Sequence, residues 1–182
     1  VPTVLSNNQV ADGGSADWST TLANGGGTAV LTQTASGGED GSAYISQTGD
    51  VFFGAFGPTG VVFRCNNQDG SNCSGGSFFG DYDPANNDTV LSFYLRHDAG
   101  VDLDFFARLA PSVNSPGAGT GNDFAGTVAS GIWTELSLEI EPNYFDSFSG
   151  TDFNTVFANT IERLQIGVTL PFNGTGFDPL VG

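Results

Sequence analysis

The sequence contains no lysine, no methionine and one histidine, and four arginines face twenty Asp and Glu residues, so the formal net charge is −16 over 182 residues. A surface of this sign repels nucleic-acid phosphates and anionic lipid headgroups. No run of the sequence gathers the arginines into a cluster that offsets this charge. We therefore expect no nucleic-acid partner, and cations, neutral polymers and other copies of the chain are left.

Long apolar runs are also lacking, since none approaches the roughly 20 residues that cross a bilayer, and we expect no direct membrane insertion. The length fits a single domain over residues 1–182. Within it we expect an extended N-terminal segment, 1–10, and a C-terminal tail or partner-paired segment, 171–182. The chain begins at Val1 without a basic and apolar leader, which is typical of a secreted or cell-surface protein whose signal has been removed.

Cysteine is nearly absent as well. Cys65 and Cys73 bracket a loop of turn-forming residues, and we predict a disulfide between them, as in an oxidising compartment. The alternative is a pair of free thiols. Zinc is disfavoured because His97 is the only histidine. Sequons occur at Asn72, Asn87 and Asn173, and the sequence leaves their glycosylation open.

Phe and Gly are plentiful, with 16 and 27 copies, and the apolar residues alternate along the chain. The clearest pattern predicts two strands between Thr89 and Leu109. Aligning their apolar faces pairs Leu95 with Leu103 in a hairpin with a loop at 98–100. That register sets Arg96 across from Asp102 and Tyr94 across from Asp104 on the outer face.

Other segments have the same character. Alternation predicts strands around Leu136–Ile140 and Leu164–Leu170, and short apolar runs predict strands at 51–56 and 61–63. The spacing of Phe153, Val156 and Phe157 predicts one short helix, capped by Ser149 or Thr151. The fold class predicted is all-β: a two-sheet antiparallel β-sandwich with one short helix.

The order of several motifs resembles the laminin B (domain IV) family over about residues 12 to 170. These motifs are Asp17-Trp18, the run from Ser36 to Ile45, Phe79 to Asp83 followed by Leu91 to Arg96, Ile132 to Leu136, and Phe153 to Leu164. The resemblance implies a jelly roll like those of carbohydrate-binding modules, found in extracellular matrix and bacterial surface proteins, with adhesive or architectural roles and no catalysis. The chain lacks the Asp-Asn-Val type motif of the closing strand.

Calcium is the most credible cofactor, in a structural role, because oxygen-rich loops supply the ligands that Ca2+ takes. The resemblance to such jelly rolls implies Glu39, Asp40 and Asp178 as its ligands. The loop with Asp81, Asp83 and Asp88 is a second candidate. The alternative for both sets is that they are solvated turn residues.

Catalysis has little support in the residues, and we expect no enzyme. His97 is the only base for a nucleophilic triad and fits a strand end at the edge of the core. Glu135 and Glu139 lie about 13 Å apart along one strand, beyond glycosidase spacings. Asp102 and Asp104, about 7 Å apart, match an inverting pair but fit a solvated cross-strand network better.

Two functions follow from these features. The first is a non-enzymatic extracellular structural subunit that assembles with copies of itself into a filament or surface layer by strand or edge pairing. Its assembly segment contains Val1, Val4 and Leu5, which could complete a neighbour's sheet. The second is a carbohydrate-binding or adhesion module with structural calcium, whose partner is a polysaccharide. Its ligand face consists of Tyr94, Arg96, Asp102, Asp104 and Trp133, where Trp133 either stacks on a sugar or packs internally, as the resemblance implies.

Overall fold

A computed structural model describes the chain in nine stretches. They are residues 3–5, 18–21, 28–46, 59–66, 76, 78–86, 89–111, 115–120 and 127–169. The predicted strand at 51–56, most of the segment 1–10 and all of 171–182 lie outside the described residues.

The described residues form thirteen strands and one short α-helix. The strands are β1 Thr3–Leu5, β2 Ser19–Thr21, β3 Thr28–Val30, β4 Thr32–Thr34, β5 Tyr44–Ser46, β6 Thr59–Asn66, β7 Thr89–Leu95, β8 Leu103–Ala110, β9 Ala118–Gly119, β10 Thr127–Val128, β11 Thr134–Glu139, β12 Ser147–Phe148 and β13 Arg163–Thr169. Helix α1 is Phe153–Phe157, and Pro142–Tyr144 is a 3₁₀ helix. No helix in this part of the chain is long and apolar enough to span a membrane.

The large sheet has the strand order β12-β9-β8-β13-β6-β2-β3, with β10 added beside β8. Its central strands are antiparallel, so that Leu164 of β13 lies between Cys65 of β6 and Leu109 of β8. All three side chains are fully buried. The three side chains share the core side of the sheet because every second residue of a strand points to the same side.

The small sheet has the order β1-β7-β11. Strand β11 runs antiparallel to β7, with Leu136 and Leu138 buried and Glu135, Ser137 and Glu139 exposed. The predicted alternation of this strand is confirmed. Strand β1 runs parallel to β7, with Thr3 beside Thr89 and Leu5 beside Leu91. A separate pair, β4 and β5, forms a two-stranded sheet.

The apolar faces of the large and small sheets meet in a single core, as in a β-sandwich. Leu91 and Leu138 from the small sheet belong to the same buried cluster as Leu109 and Leu164 from the large sheet. The predicted fold class is therefore confirmed at the level of an all-β sandwich with one short helix. The jelly-roll strand order stays a prediction.

The predicted hairpin between β7 and β8 is wrong. Strand β7 pairs with β1 and β11, whereas β8 pairs with β13, β9 and β10. The apolar faces of β7 and β8 both contact one core. Two strands can do this as neighbours in one sheet, and they can also do it from the two facing sheets of a sandwich. The connection is held instead by residues 128–131, where Gly131 N donates to His97 O at 2.7 Å and Gly100 N donates to Ser130 Oγ at 3.0 Å.

Helix α1 is confirmed at the predicted place, but its cap is Asp152. The Asp152 carboxylate accepts a hydrogen bond from Thr155 N at 2.8 Å, which satisfies one of the free N–H groups of the first turn. Asp152 is the residue directly before the helix, so it reaches the third helical position, which Ser149 and Thr151 cannot do from outside the first turn.

Candidate functional site

Six side chains from three separate segments lie together beside the small sheet. We call them the aromatic–acidic patch: Glu39, Asp40, Tyr44, Tyr94, Trp133 and Glu135. Tyr94 of β7 lies directly opposite Glu135 of β11. Trp133 precedes β11 and has the same parity as Glu135, so both belong to the outer side of the sheet. The loop between β4 and β5 brings Glu39 and Asp40, and β5 begins with Tyr44.

The β4–β5 loop is built to turn sharply and to contact Trp133. Gly37 and Gly41 have φ values of 98° and 84°, a left-handed region that favours glycine. The Trp133 indole Nε1 donates a hydrogen bond to Gly37 O at 3.2 Å. Tyr44 meets the Trp133 ring edge-on, with ring centroids 5.6 Å apart. These contacts fix the loop against the sheet.

Negative charges surround the exposed Tyr94 ring in the aromatic–acidic patch. The side chain of Tyr94 is 45% exposed. Its pKa is raised, chiefly by the negative charge of Glu135, then by partial desolvation and by the charges of Glu39 and Asp40. Three carboxylates therefore surround one exposed phenol. Such a surface suits a cationic group or a polyhydroxylated ligand, because carboxylates accept hydrogen bonds and aromatic rings offer flat apolar faces.

The residues of the predicted ligand face do not lie together in the structure. Tyr94 and Trp133 belong to the aromatic–acidic patch, but the register that placed Arg96 against Asp102 does not occur. Arg96 instead forms an exposed ion pair with Asp98 at 3.3 Å.

The two aspartates of that face belong to the large sheet, since Asp104 lies in β8 and Asp102 directly precedes it. Asp104 of β8 accepts a hydrogen bond from the Thr127 hydroxyl at 2.7 Å, next to β10, and Asp102 is exposed just before β8. The five residues are not one surface, because the hairpin that would have joined them is absent.

The predicted calcium ligands are described only in part. Asp40 accepts a hydrogen bond from Ser42 N at 3.0 Å within its own loop. Asp81 and Asp83 likewise accept bonds from the backbone two residues on, each at 2.9 Å. Asp88 and Asp178 lie outside the described residues. Among the residues that are described, no group of three or more acidic, histidine or cysteine side chains is placed to hold a metal ion.

His97 lies two residues after the end of β7, in the connection to β8. Its Nδ1 accepts a hydrogen bond from Ala99 N at 3.3 Å, so the ring proton is on Nε2, which lies 2.8 Å from Val128 O. The imidazole thereby joins the β7–β8 connection to β10. Both ring nitrogens are engaged, and the arrangement is that of a structural histidine.

Sequence reasoning missed a row of arginines on the large sheet. Arg64 and Arg108 lie on either side of Gln165, and Arg163 is two residues before Gln165 on the same strand face. Burial and then the charge of Arg163 lower the pKa of Arg108. The parity of each strand would have placed these residues opposite the core, but only the pairing of β6, β13 and β8 brings them together.

The two remaining predictions concern the cysteines and the N-terminal segment. Cys65 is buried and disulfide-bonded. Cys73, the other cysteine of the sequence, lies outside the described residues, as does Val1. Val4 and Leu5 belong to β1, which pairs with β7 of its own chain.

Comparisons with family models, with curated proteins and with solved structures gave no match to this chain. The resemblance to the laminin B (domain IV) family therefore stays a prediction from the order of motifs. Any function must be argued from the residues and the fold described above.

Proposed function

We propose that this chain is a non-enzymatic, extracellular structural subunit that assembles with copies of itself into a filament or a surface layer. The observation that carries the proposal is the small sheet. Within the described residues it has three strands, and β1, a strand of three residues, forms one of its edges. An edge strand presents backbone N–H and C=O groups with which a strand of another chain can pair.

The chemistry of the described residues supports a structural role. His97 is engaged through both ring nitrogens, and Asp104 is bonded to Thr127, so neither is set up as a base for a nucleophile. The disulfide at Cys65 fits an oxidising, extracellular location. The absence of lysine and the charge of −16 suit a subunit whose contacts are made by the backbone more than by ion pairs.

The test is the mass distribution of the native protein at neutral pH. Light scattering and electron microscopy of the 18.8 kDa chain are compared with and without a calcium chelator. We expect ordered particles of many subunits. If the chelator dissolves them, calcium belongs to the assembly. A monomer of 18.8 kDa at every concentration in both conditions contradicts the proposal.

The aromatic–acidic patch favours a second candidate function, a carbohydrate-binding or adhesion module. Tyr94 is an exposed aromatic ring, and the carboxylates around it are acceptors for sugar hydroxyls. Trp133 and Tyr44 hold the loop that brings Glu39 and Asp40 to this place. A neutral polysaccharide is the expected ligand, since an anionic one meets the negative charge of the chain.

This candidate is tested by affinity electrophoresis in gels that contain neutral polysaccharides. Tyr94→Ala should abolish any retardation that the native protein shows. Tyr144→Ala is the matched control, because Tyr144 has a similar exposure, 40%, and lies in the 3₁₀ helix away from the patch. Equal retardation of the native protein and Tyr94→Ala excludes the patch as a sugar site.

A further inference from the structure

We infer that the face of the large sheet opposite the core holds a binding site for one small oxyanion, built from Arg64, Arg108 and Arg163 around Gln165. The inference does not depend on the assembly proposed above. The chain has four arginines and no lysine, and three of the four arginines lie on this one face. The positive charge of a strongly acidic protein is therefore concentrated in one place.

The pairing of three strands sets the spacing of the site. Arg64 of β6 and Arg108 of β8 both lie directly opposite Gln165 of β13. Neighbouring strands are about 4.8 Å apart, so the two arginine Cα atoms are roughly 10 Å apart with Gln165 between them. All three side chains are half-buried, which leaves part of each open to solvent. A ligand above Gln165 can therefore reach both guanidinium groups.

The Arg108 guanidinium is held in place by its neighbours. Nη1 donates a hydrogen bond to Gln165 Oε1 at 3.4 Å, and Nη2 donates one to Ser149 Oγ at 3.2 Å. A Cβ atom on Gly117 would collide with this guanidinium, so the group lies directly against the backbone of the segment before β9. A guanidinium that is already oriented loses little conformational freedom when an anion binds.

Arg64 and Gln165 are oriented as well. Arg64 Nε donates a hydrogen bond to Ser19 Oγ at 3.4 Å, and Ser19 is buried. Because Gln165 Oε1 accepts from Arg108, the other end of the Gln165 amide is an NH2 group, which only donates. Arginine side chains also have donors only. The groups on the two sides of Gln165 therefore call for an acceptor that carries negative charge.

Repulsion between the arginines also favours an anion. Arg163 is 9% exposed and lies two residues before Gln165 on the same face of β13. Burial and then the positive charge of Arg163 lower the pKa of Arg108, so the charged form of Arg108 is destabilised. A negative charge bound between the guanidinium groups stabilises that form, because it opposes both the desolvation and the repulsion.

The chemistry of the site limits the class of ligand. A guanidinium group donates two parallel hydrogen bonds to a carboxylate, a sulfate or a phosphate group. A polyanion such as a nucleic acid carries more charge than this site can neutralise, and the net charge of −16 repels it. We therefore expect a single carboxylate, sulfate or phosphate group, as a free anion or on a small molecule.

NMR of the arginine side chains tests the site in the native protein. Arginine labelled in its side-chain nitrogens gives one Nε–Hε signal for each of the four residues, assigned through the backbone. The protein is titrated with sodium sulfate, sodium phosphate and sodium acetate at constant ionic strength. Saturable shifts of the Arg64, Arg108 and Arg163 signals support the site. The Arg96 signal should not move, because Arg96 is in an exposed ion pair with Asp98.

Two matched variants give a second measurement. Arg108→Gln should weaken anion binding roughly 10- to 100-fold, because it removes charged hydrogen bonds, whereas Arg96→Gln should bind as the native protein does. A ligand that binds only the folded state raises Tm as its concentration increases. Each protein is compared with itself in NaCl, which removes any loss of stability caused by the substitution. The native protein and Arg96→Gln should show a larger rise of Tm in the oxyanion salt than Arg108→Gln, beyond the general stabilisation by sulfate and phosphate.

The choice of anions identifies the ligand class. Saturation by sulfate and phosphate alone supports a site for a tetrahedral oxyanion, and saturation by acetate alone supports a site for a carboxylate. Shifts of all four arginine signals that grow linearly with salt overturn the inference, as does the absence of any shift. Equal rises of Tm in the native protein and both variants also overturn it, because they reflect only a general effect of the salt.

Discussion

At the scale of single residues, Gly117 lies where an added side chain would displace the Arg108 guanidinium. A Cβ atom there would collide with the Arg108 guanidinium. Arg108 Nη1 donates to Gln165 Oε1 at 3.4 Å and Nη2 donates to Ser149 Oγ at 3.2 Å. The guanidinium therefore cannot move aside without losing these bonds. We expect Gly117→Ala to lower the free energy of unfolding by about 1–3 kcal/mol in urea denaturation.

A double-mutant cycle isolates this cause. In the Arg108→Ala background the collision partner is gone, so Gly117→Ala should cost less than in the native chain. Gly80→Ala is the matched control, because a Cβ at Gly80 meets no atom within 4 Å. Equal costs of Gly117→Ala in both backgrounds would show that Arg108 is not the reason for the glycine.

The buried Tyr82 predicts that the folded state loses stability at alkaline pH. Its side chain is fully buried, its hydroxyl donates to Phe78 O at 3.0 Å, and burial raises its pKa above the ordinary value of 10.0. The folded state therefore keeps a proton that the unfolded state releases above pH 10. The stability is complete below pH 10 and falls by about 1.4 kcal/mol per pH unit above it.

The variant Tyr82→Phe checks this prediction. It loses the bond to Phe78 O and about 1 kcal/mol at neutral pH, but its free energy of unfolding should be flatter than that of the native protein above pH 10. Spectrophotometric titration should show one phenolate fewer after alkaline unfolding. If stability falls in parallel for both proteins, another group causes the alkaline loss.

At the scale of elements, α1 depends on its aromatic contacts. A five-residue helix is too short to be stable alone. Phe157 is 1% exposed, and its ring centroid lies 4.5 Å from that of Phe153 and 5.2 Å from that of Phe145. We expect Phe157→Ala to cost about 3–5 kcal/mol in urea denaturation. The exposed helix position Asn154→Ala is the control and should change stability by less than about 0.5 kcal/mol. A small loss for Phe157→Ala would mean that the cap and not the cluster holds α1.

The core-facing side of each strand could be predicted from the local sequence, whereas the pairing of the strands could not. Period-two alternation in β7, β8, β11 and β13 identified the faces that turn to the core, because parity is a property of each strand by itself. Pairing is a relation between distant strands. Leu95 and Leu103 match in a hairpin and also as facing layers of a sandwich, and the alternation is the same in both. The two folds differ in strand pairing, because β7 pairs with β11 and β8 pairs with β13, and the hydrogen bonds of residues 128–131 hold the connection between them.

The same reason limits what the sequence says about the candidate site. Tyr94, Trp133, Glu39 and Asp40 were each singled out, but under two different hypotheses. Glu39 and Asp40 come from a loop about 55 residues before Tyr94, so no local pattern joins them. The contact between Trp133 and Gly37, 96 residues apart, is what unites them. The arginine row was missed for the same reason.

At the scale of the whole molecule, the charge of −16 opposes every contact between copies. In the proposed assembly the copies join by backbone pairing at strand edges, which salt screens little, whereas the repulsion between two acidic surfaces is screened over about 10 Å at 0.1 M salt and 3 Å at 1 M. We therefore expect light scattering to show more assembly at 0.5 M NaCl than at 0.02 M NaCl. The same measurement in calcium chloride at equal ionic strength distinguishes charge screening from specific binding. If Ca2+ binds the protein specifically, light scattering is higher in calcium chloride than in NaCl. If salt instead dissolves the particles, opposite charges hold the copies together, and the arginine row and the aromatic–acidic patch become the surfaces to mutate.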